Sequence, residues 1–259
     1  MNEQKTNKEL HAEPAIYQLG AVASVLDEVH KPCWQERLHE FDSLLAESQT
    51  AGRGQYRRNW SSPSGNIYAA VRLPMEAPLK GTEAAVAVGC WLAEGLRAQG
   101  YPCLLKWPND IVLAEDGKAP CKVCGILLEE RNKKLYAGIG INVQHFPPAE
   151  DLREGAALPA ACLAGYARGH GLPDPECAAL WKSLVNSLFS SYTYDELQAP
   201  GTWREKAFQF LLWRNDMVTI EDGDSIVSGR VCGIGPNGEL MLSSQGGIRQ
   251  FLSGSLRRA

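Results

Sequence analysis

The sequence predicts an α/β (α+β) fold, a central mixed β-sheet with flanking helices followed by a small C-terminal β-barrel. Three observations predict it. Four β-rich runs, Leu104–Trp107, Ile111–Leu113, Val123–Glu129 and Leu135–Val143, follow one another with turn signals at Pro108-Asn109 and Asp116-Gly117, as successive strands of one sheet do. The Ala-rich stretch Thr82–Gln99 stops at Gly100 and fits a buried helix. After Trp213 the texture changes to short strands with turns at Asp222-Gly223 and Asn237-Gly238, the pattern of a small antiparallel barrel.

Taken in order, residues 1–14 are polar and aperiodic and are expected to form a flexible tail. Apolar residues from Ile16 to Val29 recur at helical spacing, and beyond a loop at Lys31-Pro32 the segment Ser43–Ala46 reads as a short buried strand. Asn66–Leu73 is β-rich, and a Pro-containing linker at 74–79 leads into the Ala-rich helix. Residues 144–174, rich in Pro, Ala and Gly, read as loop plus short helix, and Pro175–Tyr192 as a helix with proline in its first turn. The barrel strands are Met217–Ile220, Ser225–Ile234, Leu240–Ser243 and Ile248–Leu252. The expected division is a tail (1–14), a catalytic domain (15–214) and a C-terminal domain (215–259).

A chain of 259 residues with 44% hydrophobic content can bury a large core without covalent staples. With 26 basic against 30 acidic residues there is no general footprint for nucleic acid, so no DNA partner is expected. The sequence lacks an apolar run of the ~18 residues a membrane span needs, and its start lacks the apolar core of a secretory signal. A cytoplasmic location with no membrane association is expected. The eight cysteines are scattered and read as reduced thiols; Cys121-Lys-Val-Cys124 has knuckle spacing but no second pair to complete a zinc site. His30 and His145 stand apart from any nucleophile signature.

The chemistry concentrates in three segments. In Gly52-Arg-Gly-Gln-Tyr-Arg-Arg58, two glycines permit close backbone approach to a ligand, while Arg53, Arg57 and Arg58 offer planar forks for carboxylate or phosphate oxygens. A solvated loop or a nucleic-acid contact would read the same way, but Trp60 follows beside a tight turn and could stack on a purine. No GxxxxGK[ST] phosphate loop is present. Lys106 ends an apolar strand, where a buried ammonium needs an anionic partner unless its head snorkels to water. Asn109 and Asp110 follow and are candidates for Mg²⁺ ligation, for orienting Lys106, or simply for making the turn. In Gly138-Ile-Gly-Ile-Asn142 the glycines leave room for a flat ligand or a neighbouring helix, and the Asn142 amide can pair with an adenine edge.

Together, Gln49-Thr-Ala-Gly-Arg-Gly54, Arg58-Asn-Trp60, Ser62-Pro63, Lys106-Trp-Pro-Asn-Asp110, Lys122-Val-Cys-Gly-Ile-Leu127 and Gly138-Ile-Gly-Ile-Asn-Val143 resemble, in order and spacing, the biotin-protein ligases. The tail Gly229–Gly254 is similar to that family's SH3-like C-terminal domain. The resemblance implies a biotin/lipoate ligase-like sheet that forms biotinyl-5′-AMP from biotin and ATP with Mg²⁺, then passes biotin to a lysine of a biotin carboxyl carrier protein domain. It implies Lys106 and Arg53 at the reacting centre and Ser24, Gln49, Gly52, Arg53, Lys106, Gly125 and Gly138 around biotin. Arg53, Arg58, Trp60 and Asn142 would serve ATP, and Asn109 and Asp110 the metal. A homodimer through sheet edges is compatible with the resemblance.

Two departures stand out. Where the family commonly has Ser-Thr-Asn, this chain has Ser24-Val25-Leu26, which removes two polar side chains from the biotin head site. An unpaired ureido group would weaken binding by about 1–3 kcal/mol. Gln55 replaces an arginine of the family pattern, which predicts a leakier intermediate. The stretch before Ser24 is too short for the DNA-binding domain that some members carry, so repressor function is not expected.

Overall fold

The computed structural model describes residues 13–151, 158–197, 199, 201–223 and 225–259; the expected tail lies almost wholly outside them. The chain begins with β1 (Ile16–Val22), α1 (Val25–Val29), α2 (Pro32–Arg37), β2 (Ser43–Gln49), β3 (Ile67–Leu73) and α3 (Glu83–Ala98). It continues through β4 (Cys103–Lys106), β5 (Asp110–Leu113), β6 (Cys121–Arg131) and β7 (Lys134–Ile141), then α4 (Leu163–His170), α5 (Cys177–Leu197) and α6 (Thr202–Gln209). It ends with β8 (Met217–Asp222), β9 (Ser225–Ile234), β10 (Leu240–Ser244), β11 (Gly247–Phe251) and β12 (Ser255–Arg258).

The first seven strands form one mixed sheet in the order β1-β2-β3-β7-β6-β5-β4. Only β1 and β2 run parallel; every other pair is antiparallel. The central strand β3, IYAAVRL, is buried at every position but Arg72, because both faces of the sheet are covered. On one face α3 and α5 lay down the main core, including Trp91, Leu92, Trp181, Leu184 and Leu188. The helix–sheet approach is close: a Cβ on Gly89 would stand 2.7 Å from Leu105 Cδ1. On the other face Val25, Leu26 and Val29 of α1, with Leu38, pack on Leu44, Tyr68, Ala70 and Tyr136.

The expected helix over Ile16–Val29 is corrected. Its first half is strand β1, its second half α1, and the chain reverses role at Ala23-Ser24. The apolar spacing there matches a helix by coincidence of two shorter elements, and parallel pairing with β2 decides the first. The Lys31-Pro32 loop is the start of α2, with proline in the first turn where its missing N–H is harmless. The four-strand run β4 to β7 and the helix α3 stand where the sequence places them.

The C-terminal strands form a five-stranded antiparallel sheet, β11-β10-β9-β8-β12. Among the described residues β11 and β12 are its edges and do not pair, so the expected barrel is not closed. Strand β12 did not feature in the sequence reading. The inner face of this sheet (Val218, Ile220, Val231, Leu240, Leu242, Phe251 and Leu256) is continuous with the main core rather than separate from it.

Candidate active site

A cleft of about 1120 Å³ opens across β6 and β7 between the 53–61 loop and the C-terminal sheet. Lys106, Arg53, Ser24, Gln49, Arg58, Trp60, Asn109, Asp110, Gly125, Gly138 and Asn142 all line it. The two cations named as the reacting centre therefore share one cavity. Gly52 is the exception among the named residues. It lies inside the loop, where a Cβ would stand 2.5 Å from Ser62 Oγ and 2.6 Å from the Trp60 carbonyl oxygen. Its smallness lets the loop fold back on itself, sealed by the Trp60 N–H donating to the Gly52 carbonyl at 2.9 Å.

Gln49, at the end of β2, is committed to the scaffold. Its Oε1 accepts from the Val25 N–H at 2.8 Å, so Gln49 caps the first turn of α1, and its Nε2 donates to Ser62 Oγ at 2.9 Å. Ser24, at the N-cap position, makes no side-chain cap bond and is buried. Arg53 reaches over the cleft edge to carboxylates: Nη1 donates to both Asp27 oxygens at 2.8 Å, and Nη2 to Glu129 at 3.4 Å. Glu129 also meets His30 Nε2 at 3.1 Å. Arg58 lies over the Tyr56 ring at 5.4 Å. The Arg57 side chain lies outside the described residues.

Lys106 ends β4 and lines the cleft, partly buried. Burial pulls its pKa below the ordinary 10.5; Asp110 opposes that shift, and the positive charge of Lys122 adds to it. Asp110 itself is held by Lys122, with Nζ to Oδ1 at 2.6 Å. Asp110 is thus shared between an ion pair with Lys122 and an electrostatic influence on Lys106. Asn109 Nδ2 donates to the Ile126 carbonyl at 2.8 Å, so its Oδ1 is the acceptor atom it can still offer. Among the described residues no three His, Cys, Asp or Glu side chains cluster as a metal cage. Two oxygens, from Asn109 and Asp110, are what Mg²⁺ takes from protein when phosphates and waters supply the rest. The donor set thus fits an ion carried in with a nucleotide, not a resident one.

The floor is a glycine ledge. Gly125 and Gly140 face each other across β6 and β7, and the Trp60 indole lies directly on them. A Cβ on Gly140 would stand 2.6 Å from Trp60 Nε1, and one on Gly125 2.8 Å from Trp60 Cζ3. Lys122 Nζ sits 5.2 Å from the ring, and Trp60 Nε1 is buried without a hydrogen-bond partner. Beside this ledge Leu26 rests on Gly138, where a Cβ would meet Leu26 Cδ1 at 2.6 Å. The apolar Val25-Leu26 pair, both under 5% exposed, is therefore packing against the sheet. Asn142 donates from Nδ2 to the Ala161 carbonyl at 3.1 Å, leaving its Oδ1 toward other partners.

Sequence reasoning missed the acidic partners of Arg53. Asp27, His30 and Glu129 come from a helix and a strand roughly a hundred residues apart, and no local pattern announces their meeting. It also missed the rim supplied by the C-terminal sheet, where Glu221, Asp222, Leu252 and Ser253 line the same cleft.

One cleft on a mixed sheet is thus lined by Lys106, Arg53, Arg58 and a glycine ledge covered by Trp60. Residues 28–145 match the biotin/lipoate A/B protein ligase family. Particular relatives narrow the likeness. The chain is 29% identical over 228 residues to the bifunctional ligase/repressor BirA of Escherichia coli K12, covering 84% of this chain and 67% of that protein. It is 32% identical over 142 residues to the biotin–[acetyl-CoA-carboxylase] ligase of Paracoccus denitrificans, covering 51% of this chain and 56% of that one. The biotin protein ligase of Aquifex aeolicus, solved in complex with biotin and ATP, superposes with a TM-score of 0.77 at 25% identity, over 95% of this chain and 99% of that one.

Proposed function

We propose that this chain is an ATP-dependent biotin-protein ligase. The carboxylate of biotin attacks the α-phosphorus of ATP, expelling pyrophosphate and forming biotinyl-5′-AMP. The amine of a lysine on a biotin carboxyl carrier protein domain then attacks the acyl carbon, and AMP leaves as the amine gives up a proton. The observation that carries this reading is that Lys106 and Arg53 line one cleft together with Gly125, Gly138 and Gly140. Two anions must approach each other in the first step, and a cation fixed where charge accumulates lowers that barrier. Lys106 fills that role because its ammonium is already desolvated and needs no reorganisation. Arg53 holds the carboxylate and phosphate by exchanging Asp27 and Glu129 for them.

In this reading biotin binds on the strands of Gly125 and Gly138 beside Trp60 and Leu26, which cover those glycines; the adenine engages Trp60 and Asn142, and Arg58 meets the phosphates. Asn109 and Asp110 would hold a Mg²⁺ ion bound with the nucleotide, and that ion would supply neutralisation of the phosphate charge. The C-terminal sheet is read as an SH3-like module. No helix of the described residues is long and apolar enough to cross a membrane, and the cytoplasm is the compartment where ATP and the carrier domain would be met.

The test is pyrophosphate release from ATP, Mg²⁺ and biotin, followed by biotin transfer to a carrier domain. Release and transfer are expected; no release at any biotin concentration overturns the reading. One observation favours a second reading. With Leu26 seated on Gly138 and both polar atoms of Gln49 already bonded, the head of the pocket is apolar. That suits a weak biotin or adenylate binder, or a ligase for lipoate or octanoate. Running those acids in parallel separates the cases by kcat/KM.

A further inference from the structure

The Lys106 backbone is gripped on both sides by the C-terminal part of the chain. Before it, the Leu105 N–H donates to the Phe210 carbonyl at 2.9 Å and the Leu105 carbonyl accepts from the Leu212 N–H at 2.8 Å. After it, Trp107 Nε1 donates to the Gly238 carbonyl at 2.9 Å in a fully buried bond. Gly238 stands at the tip of the β9–β10 hairpin. That tip is itself fastened: Thr82 Oγ1 donates to the Asn237 carbonyl at 2.7 Å, and Glu239 accepts from both the Asn237 N–H and Nδ2 at 2.7 Å. Gly238 has φ +78°, and a Cβ there would stand 2.7 Å from Glu83 Cα at the start of α3. Neither its backbone angle nor the space beside it accommodates a larger residue.

We propose that the β9–β10 hairpin tip is a positioning element for the reacting lysine: Gly238 and Trp107, with the 210–212 segment, set the place of Lys106 in the cleft. The C-terminal sheet thereby takes part in adenylate formation through the place it gives Lys106. Edge strand β4 has a sheet partner, β5, on one side only. On its other side the 210–212 segment supplies the missing bonds, and the hairpin tip holds the residue that follows the lysine. A one-ångström displacement of a reacting group lowers a rate by up to ~100-fold, so a grip of this kind is felt in kcat.

This inference rests on the ligase reading, and the experiment separates the two. Trp107→Phe keeps the ring and deletes the donor; Gly238→Ala displaces the tip. Val218→Ala, in the core of the same sheet, is the control for lost stability alone. Pyrophosphate release below the melting temperature should fall by roughly tenfold or more in kcat for the first two, with KM for ATP nearly unchanged, and stay at the wild-type value for the control. Acetylation of Lys106 by acetic anhydride, read by peptide mass spectrometry, needs no turnover. The loosened lysine, still flanked by Asp110 and Lys122, should label several-fold faster in the first two variants only. Wild-type kcat and labelling in Trp107→Phe and Gly238→Ala overturn the positioning role. An inactive wild type whose labelling still responds overturns the ligase reading and leaves the grip standing.

Discussion

At the scale of residues, Lys106 is the proposed reacting cation, and its surroundings fix its behaviour. Lys106→Ala should cut pyrophosphate release by at least ~100-fold, the usual loss when a charge-stabilising group is removed. Its melting temperature should hold or rise, since a buried ammonium has been deleted. Burial lowers the Lys106 pKa, so the cation is lost as pH rises through a value below 10.5. The rate of adenylate formation should therefore decline on an alkaline limb that begins below the ordinary lysine range, and a limb that begins at or above that range would contradict it. Arg53 gives the opposite kind of test. Its bonds to Asp27 are half exposed, so Asp27→Asn should change stability by under ~1 kcal/mol. The freed guanidinium should bind ATP more tightly, seen as a lower KM.

At the scale of elements, the join between α1 and the sheet is where packing and recognition compete. Leu26 lies on Gly138 in an apolar setting. Leu26→Asn would bury an amide with no partner in the free protein and should reduce stability to urea by about 1–3 kcal/mol. The same amide gives biotin's ureido group a partner, so calorimetry should show tighter biotin binding. Much of this element structure was legible in the sequence. Strands β4 to β7 announce themselves because turn residues separate short branched runs, and α3 because alanine tolerates burial on every side. Strand β1 was not legible. Its identity depends on pairing with β2, a partner more than twenty residues away, and its own apolar spacing serves either structure.

At the scale of the molecule, the two sheets share one core. Val218, Val231, Leu240 and Leu256 of the C-terminal sheet belong to the same apolar cluster as Trp91, Leu105 and Ile126. Calorimetric unfolding should accordingly show one cooperative transition with matching calorimetric and van't Hoff enthalpies. Two separated transitions would show that the 215–259 segment is an independent domain after all. Biotin alone at a hundredfold excess over its Kd should raise that single transition, adding about 2.7 kcal/mol of stability.

By itself the sequence determined the reaction class and pointed to candidate residues that the fold gathers in one cleft, because Lys106-Trp-Pro-Asn-Asp110 and Gln49-Thr-Ala-Gly-Arg-Gly54 are local patterns whose side-chain chemistry is legible without coordinates. Only the tertiary structure decided that Asp110 serves Lys122, that Asp27 and Glu129 hold Arg53, that Leu26 fills the space over Gly138, and that Gly238 braces the strand bearing Lys106. Each of these is a meeting of residues far apart in the chain, and burial, not neighbourhood in sequence, brings such groups within bonding distance.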